Sequence, residues 1–145
     1  MNSSIPTRTS DLVIGSLSAW NEGLADENQR GLGDLSYFSI PMLLEAQNLT
    51  IYSPSSDLSL GEIKQLRGML ENIYAARVAA GDFNPGNSEF SLHFVRNELG
   101  HIELMIKYHS WEHNGALEFT EKIDQSYLPT IIGQLDTLIR LSPQF

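Results

Sequence analysis

FSLHFVRN, residues 90–97, and HIELMIKYH, residues 101–109, decide the fold of this chain. Phe90, Leu92 and Phe94 alternate with Ser91, His93 and Val95, and Ile102, Leu104, Ile106 and Tyr108 alternate with Glu103, Met105 and Lys107. A period of two belongs to strands. Neighbours across an antiparallel pair share a face, so the two apolar sets must oppose one another. A slip of one residue would set Phe90, Leu92 and Phe94 against Glu103, Met105 and Lys107. The register that avoids this puts Phe94 opposite Leu104 and Asn97 opposite His101. Glu98, Leu99 and Gly100 then form a short loop, with glycine where the turn needs a left-handed backbone.

Beyond this hairpin, Ala116 to Glu121 reads as a third strand with Leu117 and Phe119 on the same apolar face. Asp124, Gln125 and Ser126 suit the start of a helix, with Asp124 or Ser126 as its cap. Leu128, Ile131, Ile132, Leu135, Leu138 and Ile139 then recur at helical spacing, and Pro129 is tolerated because it falls in the first turn. Before the hairpin, Ser59 and Glu62 form a capping-box pattern, and Leu58 and Ile63 are spaced as a hydrophobic staple around it. Ile63, Leu66, Leu70, Ile73 and Tyr74 carry that helix through Ala76, opposite Lys64, Arg67 and Glu71. Gly81, Asn84, Pro85 and Gly86 read as the loop that follows.

Two strands precede that helix. Phe38 to Tyr52 reads as one, with Leu44, Ala46, Asn48 and Thr50 on one face and Leu43, Glu45, Gln47, Leu49 and Ile51 on the other. Asp11 to Trp20 reads as another, followed by a glycine-containing surface loop over residues 21–34. Residues 1–10 read as a frayed terminus or a short edge strand. The expected order is β-β-α-β-β-β-α, an α+β domain spanning residues 1–145 with two helices packed on one face of a mainly antiparallel sheet.

Composition narrows the function. Eighteen acidic against nine basic residues give a formal net charge of -9 over 145 residues. The mean field therefore repels phosphate backbones, which argues against nucleic acid and favours a basic protein partner. The chain has no cysteine, which removes disulfides, thiolate metal sites and cysteine nucleophiles and fits a reducing cytoplasm. MNSSIPTRTSD does not have the pattern of a secretory signal, and no apolar run approaches the roughly 20 residues of a membrane span. The expected location is cytoplasmic.

His109 and His113 have the spacing of a helical metal pair, but Ser110, Trp111, Glu112, Asn114 and Gly115 around them read as a turn, and no third ligand is suitably spaced. Glu45, Glu103, Glu118 and Asp124 are the acids among which a general acid and base could be sought; acids on outward strand faces serve solubility equally well. No serine sits in a nucleophile elbow and no glycine loop precedes a helix to hold phosphate. The residues thus indicate neither catalysis nor any cofactor. What remains is the mixed outer face of the last three strands: Glu89, Ser91, His93, Val95, Glu103, Met105, Lys107, His109, Glu118 and Thr120. It is either a solvated sheet surface or part of a binding surface. As binding residues, it offers His93, Glu103, Lys107, His109 and Glu118, with Trp111 beside them. Trp20 and Trp111 read as core or rim residues, although tryptophan is enriched at interface hot spots.

LEFTEKIDQSYLPTIIGQLDTL, residues 117–138, resembles the end of the WapI-type immunity proteins, small bacterial proteins that neutralise toxin domains delivered by contact-dependent or secreted polymorphic systems. In that family a strand ends in a DQSYL-like segment and passes into a terminal amphipathic helix. Asp124, Gln125, Ser126, Tyr127 and Leu128 occupy those positions here. The earlier strand, capped helix and hairpin follow in the same order, so the likeness covers residues 38–141 in architecture. The first 37 residues have no counterpart in it, and NPGNSEFSL, residues 84–92, lacks the family's Glu-Pro pair. The resemblance implies a cytoplasmic, non-catalytic antitoxin that sterically blocks its partner, a basic toxin domain such as a nuclease. An acidic secretion chaperone is the competing class, marked by an N-terminal helix where this chain reads as strand. A small-molecule enzyme comes third, and would need a deep polar pocket with converging titratable groups.

Overall fold

The computed structural model describes residues 9–142, so the expectation for the terminus falls, at residues 1–8, outside the described residues. In chain order the elements are β1 (Leu12–Ile14), β2 (Leu17–Ala19), β3 (Tyr37–Ser39), β4 (Met42–Ala46), β5 (Leu49–Ser53), β6 (Asp57–Ser59), α1 (Leu60–Tyr74), β7 (Ala80–Phe83), β8 (Phe90–Arg96), β9 (His101–His109), β10 (Ala116–Asp124) and α2 (Leu128–Leu141). They build an N-terminal sheet ordered β1-β2-β4-β5, a C-terminal sheet ordered β10-β9-β8-β7, and a β3-β6 pair, with antiparallel neighbours throughout. The α+β class and antiparallel pairing are as expected. The seven-element order is not, because the N-terminal half is cut into more and shorter strands.

Asp11 to Trp20 is a hairpin rather than one strand. Gly15, at φ +59, turns the chain between β1 and β2, and Leu12 pairs with Ala19. Phe38 to Tyr52 is likewise divided. The chain leaves β3 through Ile40 and Pro41, and β4 reverses into β5 at Gln47 and Asn48, with Gln47 at φ 50. The segment read as a loop at Gly81 contains β7, which pairs with β8 from Ala80 opposite Val95 to Phe83 opposite Leu92. Glycine is a strand residue at 81 because α1 passes close by: a Cβ there would lie 2.5 Å from Met69 Sδ.

The C-terminal hairpin has the expected register, Phe94 opposite Leu104, and Asn97 N–H donates to the His101 carbonyl at 2.9 Å. Gly100 supplies the left-handed residue at φ +84. Phe90, Leu92, Phe94, Ile102, Leu104 and Ile106 are all buried. β10 runs three residues further than Glu121, pairing Asp124 with His101.

Ser59 caps α1 as its sequence demands. Its Oγ accepts the Glu62 N–H at 3.1 Å, and its own N–H donates to Glu62 Oε1 at 2.8 Å. Ser59→Ala removes one of these bonds and is expected to cost about 1 kcal/mol in denaturant melts; an unchanged midpoint would show that the box contributes nothing. Ile63, Leu66, Leu70 and Ile73 are buried, whereas Tyr74, placed in the same stripe by sequence, is exposed at the helix end. There Ala76 turns to φ 60, and Arg96 Nη1 donates to the carbonyls of Ile73 and Tyr74, each at 2.9 Å. A cation at the carbonyl end also suits the helix dipole. At the other end of the chain, Asp124 accepts the Ser126 N–H at 3.0 Å and starts a single 3-10 turn that leads into α2. The stripe of α2 buries Leu128, Ile131, Leu135 and Leu138, and Pro129 lies in its first turn. Both stripes join the same cluster of buried residues as the inner faces of the sheets, which leaves the opposite face of the C-terminal sheet toward solvent.

Candidate functional site

β8, β9 and β10 alternate as strands must, and the residues between the buried ones form an exposed or half-buried outer face. The ladder sets these side chains in rows. Asp82, His93, Met105 and Thr120 form one row across β7 to β10; Val95, Glu103 and Lys122 form the next; Ser91, Lys107 and Glu118 form the third. Each glutamate in these rows lies directly opposite a lysine in the register, Glu103 with Lys122 and Glu118 with Lys107, so each acid has a neighbour of opposite charge and the two do not converge as a carboxylate pair. His93 Nδ1 is hydrogen-bonded to Asp82 Oδ1 on β7. At one end of the face His109 closes β9, and Trp111 follows in the β9–β10 loop, 52% exposed. The Trp111 N–H donates to Glu89 Oε2 at 3.0 Å, which fixes the backbone that presents the ring.

All six residues singled out from sequence therefore meet on or beside one surface. The other candidates separate. Trp20 is buried and stacks on Tyr52 at 6.0 Å. Glu45 lies on β4, in the other sheet, and Asp124 is engaged as a cap. The Ser126 N–H holds the Asp124 carboxyl below its usual range. His113 sits in a loop and donates its N–H to Ser110 Oγ at 3.2 Å, so it shares no helix with His109. Among the described residues no group of three or more histidines and acids is arranged to hold a metal ion.

Sequence reading missed one cleft. About 430 Å³ opens between the inner side of β10, the β1–β2 turn and the start of α2, bordered by Val13, Ser16, Glu121, Tyr127, Thr130 and Gln134 among others. Two of its polar side chains join the halves of the fold. Glu121 Oε2 accepts the Ser16 N–H at 2.9 Å, and Gln134 Oε1 accepts the Val13 N–H at 3.0 Å. A second polar cluster, Ser53, Ser56, Ser88 and Glu89, is likewise hydrogen-bonded: Ser53 Oγ donates to Glu89 Oε1 at 2.7 Å while Ser56 Oγ lies 3.0 and 3.2 Å from its serine neighbours. Burial, and then Asp26, raises the pKa of Asp57, and burial, then Glu22, raises that of Tyr52; neither borders the cleft.

The outer face thus presents charged rows and a half-exposed tryptophan, on a chain whose fold runs from strands through a capped helix and hairpin to a terminal helix. Residues 38–143 match the model of the immunity protein WapI-like family. The chain belongs to that family. No curated protein and no solved structure matches it. In this WapI-like chain the matched segment contains β4 to α2 and therefore every residue of the outer face, while the β1–β2 hairpin precedes it. No helix among the described residues is long and apolar enough to cross a membrane.

Proposed function

We propose that this chain is a non-catalytic immunity protein of the bacterial cytoplasm that binds one cognate, basic toxin domain and blocks it, through the outer face of the C-terminal sheet. The observation that carries this reading is membership of an immunity protein family over residues 38–143. Physical chemistry supports the rest. A net charge of -9 speeds encounter with a basic partner. The face sets Trp111, an anchor of the kind that dominates interface energies, beside His93, Glu103, Lys107, His109 and Glu118. A secretion chaperone would carry a helix where this chain folds the β1–β2 hairpin.

Co-expression with the toxin encoded beside its gene is expected to restore growth, and purification is expected to recover the two proteins as a complex. Added salt should slow association more than it speeds dissociation, because screening beyond a Debye length of about 8 Å at physiological ionic strength removes steering and leaves contacts. Glu103→Lys should slow association in the same direction. A toxin that stays lethal and is recovered alone would sink the proposal.

A further inference from the structure

β10 is the outermost strand of the C-terminal sheet, and its far edge carries no strand among the described residues. The ladder determines which of its main-chain groups face outward. His109 N–H donates to the Glu89 carbonyl and Asn97 N–H to the His101 carbonyl, so odd-numbered residues of β9 bond toward β8. Ser110 N–H donates to the Gly115 carbonyl, so even-numbered residues bond toward β10. Antiparallel ladders alternate in this way along their length. In β10 the partners of those even residues are Leu117, Phe119, Glu121 and Ile123, whose main-chain groups are used by β9. The N–H and C=O groups of Ala116, Glu118, Thr120, Lys122 and Asp124 therefore point away from the sheet.

An edge this long, with no proline in it, is a template for another strand. Its side chains specify which one. A second copy placed antiparallel about a two-fold axis at Thr120 brings outward-pointing residues onto outward-pointing residues. Glu118 then faces Lys122 of the second copy, and Lys122 faces its Glu118. With Glu103 and Lys107 already opposite these residues, a single row of alternating charge runs Glu103, Lys122, Glu118, Lys107 across both molecules. On the inner side Leu117, which is 36% exposed, meets Ile123, only partly buried in the single chain, and Phe119 meets Glu121, whose carboxylate accepts the Ser16 N–H of its own chain. Neighbouring axes fail. One at Phe119 sets Glu118 against Thr120 and Lys122 against Ala116, with no charge pair, and one at Glu121 sets that acid on its own copy and Glu118 against Asp124.

We propose that the chain self-associates through β10, antiparallel about Thr120, so that two C-terminal sheets become one continuous sheet. The net charge of -9 on each copy opposes approach at long range, and physiological salt screens most of that repulsion. A contact limited to one strand edge is small, so association belongs in the weak class and should be sought at roughly 100 µM.

Sedimentation equilibrium of the full chain alone, at that concentration and physiological ionic strength, is expected to give twice the monomer mass of 16.2 kDa. Thr120→Pro deletes an N–H that faces outward, leaves the β9 ladder whole, and should return the monomer. Glu118→Lys and Lys122→Glu each place like charges opposite one another twice, so each alone should be monomeric. Mixed in equal amounts, these two variants present complementary strands and should associate again, a rescue that damage to the fold would not produce. Monomeric wild type, a dimer that survives Thr120→Pro, or a mixture that stays monomeric would each overturn the proposal. No toxin is present in the assay, so its failure is independent of the immunity reading.

Discussion

Leu135→Ala is expected to destabilise the chain by about 2 to 5 kcal/mol, and Leu138→Ala by a similar amount, the range for leucines truncated in a packed core. Leu135 is fully buried and Leu138 is 4% exposed. The cost has two parts: lost transfer free energy, and a cavity that the surroundings only partly fill. Relaxation is restricted because α2 is tied on two sides, to α1 by Arg67 Nε donating to Asp136 Oδ1 at 2.9 Å and to β1 by Gln134 accepting the Val13 N–H. The Arg67 pair is partly exposed and adds little stability itself. Leu141, in the last turn and 40% exposed, is the control, with an expected loss within about 0.5 kcal/mol. Denaturant midpoints should fall for the two core variants with little change in slope. Losses below about 0.5 kcal/mol for Leu135 would mean that α2 is a detachable arm.

Helix α2 and the hairpin were legible because burial on one face leaves a period that survives in the sequence. The N-terminal half obeys the same rule and was misread through parity. Leu12 and Ile14 are buried, and so are Leu17 and Ala19, but an uninterrupted strand would have put these two pairs on opposite faces. The switch from even to odd marks the two-residue turn at Gly15 and Ser16. Across Phe38 to Tyr52, read as one strand, both faces mix polar and apolar residues. That mixture is the product of running β3, β4 and β5 together, past Ile40 and Pro41 and across a turn at Gln47 and Asn48, where no glycine advertises the positive φ. In β7 the opposite happened: Gly81 looked like a breaker but provides clearance for Met69.

These misreadings shaped what could be seen of the surface. The outer face itself followed from the alternation of β8 and β9. Its edges did not, because without β7 there was no Asp82 for His93, and a third strand ended at Glu121 leaves out Lys122 opposite Glu103. The alternation of opposite charges along the face thus became visible only with both flanking strands at full length. The cleft around Glu121 was hidden for a different reason, since it lies between the β1–β2 turn at one end of the sequence and β10 and α2 at the other.

Phe94→Ala is expected to be among the costliest single changes, about 3 to 5 kcal/mol, because the ring is fully buried at the centre of the hairpin. Its register partner makes the result diagnostic. Odd residues of β9 bond to β8, so Phe94 and Leu104 form a non-hydrogen-bonded pair, the type in which opposing side chains approach most closely. A double-mutant cycle on this pair should return a coupling of about 0.5 to 3 kcal/mol, the range for residues in contact. Phe94→Leu with Leu104→Val is the gentler cycle, and should give a smaller coupling of the same sign if the full truncations unfold the chain. Met105 is the neighbouring residue on β9 but points to the outer face opposite His93, so Phe94 and Met105 should be additive within about 0.5 kcal/mol. A slip of one residue would exchange these outcomes, coupling Phe94 to Met105 and releasing Leu104. The same slip would bury Glu103 and Lys107 and expose the apolar stripe of β9, which is why a single register is selected.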